Sequence, residues 1–417
     1  MEKQYILSKH GEAERPALMW FWGDRMTPEM IVYQIEKFKE AGIEEFYVHA
    51  GGGDMGAEYL SGEFNSWIRL ACDTAERLGM KYSIYDEYNW SSGTCAGRLM
   101  EEYPEYRMTR LCWYEYNAMV GDTADILIKG KVLAVKAVYA DRVQTREDIT
   151  DRVTVQYFDS GETGHVVWKN DRLVSAKIFV FCRQYLDGLS MTAVWGKYSN
   201  YARGYTDTMN PAAVRKFLEM NHEVYKKNVG DRFGTLIKRV FTDETSYSDF
   251  GTPTSSPYSV LLEEEFRKDH GYELKDHYLS LTECYHTDED RKVRFHYYQT
   301  LTRMFCSAYL DQYREWCHEN NLLLTGHMSA GGFLYHQTMQ HGNFFEALSR
   351  FDVPGMDNIV SKMHLSIVDI WSEYKPISSV AKFNGKKQVM CETFSGSGWD
   401  LSLEDAKYIM KSLIDIY

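Results

Sequence analysis

The chain has 417 residues, room for one large core, with 44% hydrophobic and 26% charged residues, the proportions of an ordinary soluble globular protein. A formal net charge of −13 excludes nucleic acid and an anionic membrane as main partners, and no run approaches the roughly 18 apolar residues of a membrane span. Met1 to Arg15 lack a signal-peptide core, and the eight cysteines show no paired spacing, so they read as reduced thiols of a cytoplasmic protein.

Ala17 to Trp22 predict a first, apolar strand. Thr27-Pro28-Glu29 then supply an N-cap, a first-turn proline and an early acid. The helix they open carries Ile31, Ile35 and Phe38 at the helical period and stops near Gly42. Glu45 to Ala50 predict a second strand, Trp67 to Leu78 a helix, and Lys81 to Tyr85 a third strand with Asp86-Glu-Tyr-Asn-Trp-Ser-Ser-Gly93 at its end. Strands and helices alternating at this spacing imply βαβ units and a parallel sheet. Gly51 to Gly53 lack both the fingerprint and the lysine of a phosphate loop.

From about Arg110 to Tyr198 the alternation breaks. Val132 to Tyr139, Val153 to Phe158, His165 to Trp168 and Lys177 to Phe181 are β-rich runs separated by polar turns. They predict an antiparallel subdomain, residues 111–200, inserted between barrel segments 1–110 and 201–417 and leaning over the strand C-termini. The helical rhythm resumes at Asn210-Pro211. Leu236 to Glu244 predict a fourth strand, and Thr245 to Pro257 a loop. A helix ending near Gly271 follows, then the longest helix, from about Asp290 to Asn320. Leu322 to His327, Met356 to Val360 and Val389 to Thr393 are the fifth, a weak sixth and the seventh strands. Ser402 and Asp405 approximate a capping box for a final helix.

The predicted fold class is therefore α/β, a (β/α)8 TIM-type barrel in which an eighth strand is missing. Unpaired first and seventh strands expose sticky edges. The expectation is that a further C-terminal segment fills the slot, or that the chain self-associates.

The fourth strand ends on adjacent carboxylates, Asp243 and Glu244, which strand alternation would send to opposite faces. The seventh ends on Glu392. Two strand-end glutamates far apart in sequence are the minimum equipment for cleaving a glycosidic bond. One must stay protonated to serve the leaving oxygen, which burial or a neighbour such as Asp243 promotes; the other must be ionised to activate water. The plainer reading of each is a loop cap or an arginine partner. The 31 Tyr, 20 Phe and 10 Trp suit sugar faces, although most must be core.

Met19-Trp-Phe-Trp22 with Thr27-Pro28-Glu29, Tyr85-Asp-Glu-x-x-Trp-x-Ser-Gly93 and Phe241-Thr-Asp-Glu244 form an ordered set. Phe266 to Leu274, Leu324-Thr-Gly-His327, Val353-Pro-Gly355, Glu392 and Gly398-Trp-Asp400 extend it. In this order the set resembles glycoside hydrolase family 106 and its relatives, the α-L-rhamnosidase type, over nearly the whole chain outside the insert. The resemblance implies a catalytic (β/α)8 barrel, a glutamate acid and a glutamate base, inversion at the anomeric carbon, and a bound calcium ion. It departs at Gly23, at Ser91, where the family turn carries Pro, and at Thr245. Glu244 is assigned as acid and Glu392 as base. Asp243 is a candidate for substrate binding, Asp86 and Glu87 for sugar hydroxyls or a cation, Trp90 and Trp399 for stacking platforms, and His327 for a substrate hydrogen bond. Asp24 and His49, near the ends of the first two strands, complete the substrate-binding set.

His336 and His341 lack a third ligand at zinc spacing. The alternatives are an inactive or carbohydrate-binding barrel, a fragment of a larger glycosidase, and a metal-dependent hydrolase on the same fold. The expected partner is an oligosaccharide or glycoside.

Overall fold

A computed structural model of the chain describes residues 16–158, 161–186, 204–249, 251–282, 285–329, 334–358, 367–394, 397–398 and 400–416. Fifteen strands are assigned among them. In chain order these are β1 (Ala17–Trp22), β2 (Glu45–Ala50), β3 (Lys81–Tyr85), β4 (Thr109–Ala118), β5 (Thr123–Lys129), β6 (Lys131–Tyr139), β7 (Arg146–Asp148) and β8 (Thr154–Tyr157). The rest are β9 (Thr163–Lys169), β10 (Ala176–Tyr185), β11 (Ile237–Thr245), β12 (Ser255–Tyr258), β13 (Leu323–Met328), β14 (Val353–Asn358) and β15 (Met390–Thr393).

Seven strands form one parallel sheet in the order β1-β2-β3-β11-β13-β14-β15. These are the seven runs expected from the sequence. Among the described residues the sheet is open between β1 and β15, so its strand count is seven and not the eight of a closed barrel. Helices pack outside it, and their starts follow from local chemistry. Thr27 accepts from the Met30 amide to open Pro28–Glu40. Ser61 caps Gly62–Arg77, and Asn210 caps Pro211–Met220. Thr287 and Asp290 form a reciprocal capping box at the start of Asp288–Phe305. The long helix of the sequence reading continues through a π-helical stretch, Cys306–Asp311, into Gln312–Glu319.

A five-stranded sheet (β12-β4-β10-β6-β7) and a three-stranded one (β5-β9-β8) make up the inserted part, and their pairings are antiparallel. β5 alternates exposed and buried residues along its whole length, as a one-sided strand must. Ile126, Val135, Trp168 and Ile178 fill the space between the two sheets. The segment Thr245 to Pro257 is not all loop: Ser255–Tyr258 is β12, pairing antiparallel with β4. Pro257 is tolerated there because β12 lies at the edge of its sheet. Through this pairing the insert is joined to the segment that follows the C-terminal end of β11. Residues 187–200 of the predicted insert lie outside the described residues.

Leu111, Trp113, Phe179 and Phe181 of the insert share one apolar core with Trp20, Phe46, Val240 and Leu324. Inside the curl of the parallel sheet Tyr47, Tyr85 and Phe241 pack together with Met19 and Met390. This layer is the floor beneath the strand C-termini.

Candidate active site

Above that floor, β11 breaks the strand rule at its last residues. Its register with β13 holds to Thr242 opposite Gly326 and resumes at Thr245 opposite Met328, so Asp243 and Glu244 together oppose His327. Glu244 takes a left-handed φ of 47°. Such a bulge re-aims side chains at a sheet end, and the expectation that the two carboxylates face opposite sides fails for this reason. Gly326 makes it possible. It sits at φ 135°, and a Cβ there would lie 1.9 Å from the Thr242 carbonyl oxygen, a contact only glycine avoids.

His327 stands at the centre of the group. Its Nε2 lies 3.1 Å from Glu392 Oε2 and 3.4 Å from Asp243 Oδ1. Burial alone would lower the imidazole pKa, but Asp243, Glu392 and Asp357 outweigh it and hold it up at about 10. Asp243 is pushed well above the carboxylate range by burial, against the pull of His327, with Glu392 and Glu244 adding repulsion. Glu244 is raised mainly by burial; His327 opposes, Glu392 adds, and a hydrogen bond from Ser91 opposes. Asp357, on β14, is pushed to about 7 by burial, with Glu392 and Glu244 adding to it against His327. Four carboxylates thus surround one imidazolium. The Tyr85 hydroxyl reaches both Asp243 Oδ2 and the Asn89 carbonyl oxygen. It has one proton to give, so both contacts are made together when Asp243 carries a proton, in line with its raised pKa.

Asp357 is the residue the sequence reading missed. Val353-Pro-Gly-Met-Asp-Asn makes a poor strand pattern, yet β14 pairs in parallel with both neighbours and sets Asp357 in register with Glu392. The predicted sixth strand, Met356 to Val360, contains Asp357 near its start, and only the earlier bounds of β14, Val353–Asn358, bring that acid to the strand end.

The other predicted residues divide. His49 is buried, with its ring 4.3 Å from that of Phe21, 4.2 Å from Tyr85 and 6.0 Å from Trp90. Burial lowers its pKa to about 4, against the pull of Glu392. Asp86 and Glu87 are buried in the loop that follows β3 and bond within the protein. Asp86 accepts from Ser92 and Tyr313, and Ser92 accepts from the Asp243 amide at 2.7 Å. Glu87 accepts from the amides of Tyr88, Gly93, Thr94, Cys95 and Ala96. Their oxygens shape the loop that carries Trp90 and Ser91. Asp24 is exposed and accepts from the neighbouring Arg25 amide at 2.7 Å. Trp399 lies outside the described residues.

Asp243, His327 and Glu392 are, among the described residues, the one His/Cys/carboxylate group close enough to share an ion, with one atom from each within 4.8 Å. They do not fit the calcium implied by the resemblance. Calcium takes six to eight oxygens, whereas this group offers two carboxylates and an imidazole nitrogen.

No family model matches the chain, and no curated protein matches it either. Among solved structures it is similar to the rhamnosidase from Novosphingobium sp. PP1Y, with a TM-score of 0.60 at 14% identity. The fold is glycosidase-like. That alignment covers 97% of this chain and 54% of the other, so the chain spans about half the length of that rhamnosidase. A beta-galactosidase from Halorubrum lacusprofundi aligns at TM-score 0.46 and 10% identity, over 96% of this chain and 58% of that one. One from the psychrophilic Marinomonas ef1 aligns at 0.39 and 10%, over 82% and 40%. No helix of the described residues is long and apolar enough to cross a membrane.

Proposed function

We propose that the chain hydrolyses a glycosidic bond in an α-L-rhamnoside-like substrate, with Glu244 as general acid, Glu392 as general base and inversion at the anomeric carbon. One observation carries the reading: glutamates from the ends of the fourth and seventh parallel strands meet around His327. Burial and the Glu392 charge favour the protonated form of Glu244, as an acid needs. Its proton passes to the glycosidic oxygen as the bond to the anomeric carbon breaks. Glu392, oriented by His327, takes a proton from the water whose oxygen bonds that carbon from the opposite face. His49, Trp90, Asp24 and Asp243 are proposed to surround the sugar, in a cytoplasmic setting consistent with the free thiols of Cys72, Cys95 and Cys112.

A second reading is retention. The facing oxygens of Asp243 and Glu392 lie within 4.8 Å, nearer the roughly 5–5.5 Å of retaining pairs than the wider inverting gap. Glu392 would then attack the anomeric carbon as Asp243 protonates the departing oxygen, and Asp243 would next take a proton from the water that releases the sugar from Glu392.

Turnover of a panel of 4-nitrophenyl glycosides tests both readings against a merely binding barrel. Glu244→Gln and Glu392→Gln are each expected to lose about 10²–10⁴-fold in kcat/KM. Rates equal to the parent's would remove the hydrolase reading.

A further inference from the structure

Two polar atoms in this group are shielded from solvent and have no hydrogen-bond partner among the described residues: Nδ1 of His327 and Oδ1 of Asp357. Buried polar atoms are normally satisfied, and leaving one unpaired is unfavourable, so each such atom calls for an explanation. The register places the two together. Gly326 pairs with Pro354, which sets His327 level with Gly355. Asp357 is two residues further along β14, hence on the same face and one layer nearer the strand ends. Gly355 puts no side chain between them, and Asp357 shares its level with Glu392. Each group also registers the other's charge.

The chemistry of the pair is selective. With Nε2 turned to the carboxylates, the remaining Nδ1–H of the imidazolium can only donate, and the free Asp357 oxygen is there to accept. A hydroxyl does both at once. An ammonium cannot accept from His327, and a carboxylate cannot donate to Asp357 and would face the charge of Glu392.

We propose that His327 and Asp357 form a subsite for one hydroxyl of an uncharged sugar, the hydroxyl accepting from Nδ1–H and donating to Oδ1, so that the site takes neutral glycones and rejects uronic acids. This deepens the glycosidase reading and rests on it for the sugar, while the residues need not be the ones that transfer protons.

The test measures binding by calorimetry for the parent, Asp357→Ala and Asp357→Asn, with melting curves confirming that each variant is folded. The probes are L-rhamnose, L-fucose, D-galactose, D-mannose and D-galacturonate, then the monodeoxy derivatives of the tightest neutral sugar. The parent is expected to bind one deoxy derivative about tenfold or more weakly than the complete sugar, as for a site built around a hydroxyl. In Asp357→Ala that difference should fall below about twofold while those at other positions persist, and Asp357→Asn, which keeps an acceptor oxygen, should recover part of it. The same pattern of losses in parent and alanine variant overturns the subsite. So does tighter binding of D-galacturonate, or no binding of any neutral sugar. Turnover of the matching 4-nitrophenyl glycoside is read separately. The expected binding pattern without turnover keeps the subsite and removes the hydrolase reading; turnover with a pattern indifferent to Asp357 does the reverse.

Discussion

The two ends of the parallel sheet treat charge in opposite ways. At the N-terminal end Arg239 Nη1 donates to both oxygens of Glu45 at 3.1 and 2.9 Å and Nη2 donates to Gln388 at 3.1 Å. Ser83 adds a bond to the same glutamate at 2.6 Å. A cavity of about 390 Å³ opens beside them, but the charges lining it at Arg239 and Glu45 are already spent on each other. At the C-terminal end Asp243, Glu244, Asp357 and Glu392 crowd around His327. A matched pair holds strands together, whereas crowded, under-compensated carboxylates are kept where chemistry needs them.

Removing a carboxylate at the C-terminal end should therefore stabilise, whereas removing a cation at either end should destabilise. The largest effect is expected from His327→Gln, which removes the cation and leaves the carboxylates facing one another. It should lose about 3 kcal/mol of stability at neutral pH, as when one partner of a buried pair is deleted. Because the folded-state pKa of His327 is raised from 6.5 to about 10, its contribution is full below about 6.5 and is lost as pH rises towards about 10. Urea unfolding of the parent should show that decline, and the variant a flatter profile.

Arg239→Met should come next. Breaking its pair should cost about 1–3 kcal/mol, below the figure for a fully buried pair because the two side chains keep 25% and 20% exposure. Glycoside turnover should stay within about twofold of the parent, since the pair stands at the far end of the sheet; a large loss of rate would erase the contrast. Asp357→Asn, by comparison, relieves repulsion and should raise stability by up to about 1 kcal/mol, as removing strain from a functional site commonly does. A melting temperature lowered as much as by Arg239→Met would mean the upper carboxylates are structural too. The smallest effect concerns Ser91, whose hydrogen bond lowers the Glu244 pKa. Ser91→Ala should move the alkaline limb of the kcat/KM profile to higher pH, because the acid then keeps its proton longer.

What could be read from the sequence follows the same division. The apolar runs from Trp20 to Glu392 that form the seven strands were legible because a buried parallel strand is a local pattern. So were the acids at the ends of β11 and β15. The bulge that turns Asp243 and Glu244 to one side was not, because it depends on the register between β11 and β13, a non-local fact. β12 was hidden for the same reason: its partner, β4, lies more than a hundred residues earlier, and Pro257 reads as a breaker. Asp86 and Glu87 looked like site residues because an acid pair at a strand end gives the same signal whether it faces a ligand or, as here, the Ser92 and Tyr313 hydroxyls for Asp86 and loop amides for Glu87.

The central claim is that Glu244 protonates a leaving oxygen while Glu392 activates water on the opposite face of the sugar. Its most direct test follows, by proton NMR, the first sugar released from 4-nitrophenyl α-L-rhamnopyranoside before mutarotation. The account predicts that β-L-rhamnose appears first and that the signal vanishes with Glu392→Gln. Release of α-L-rhamnose first, or undiminished release by that variant, would contradict it.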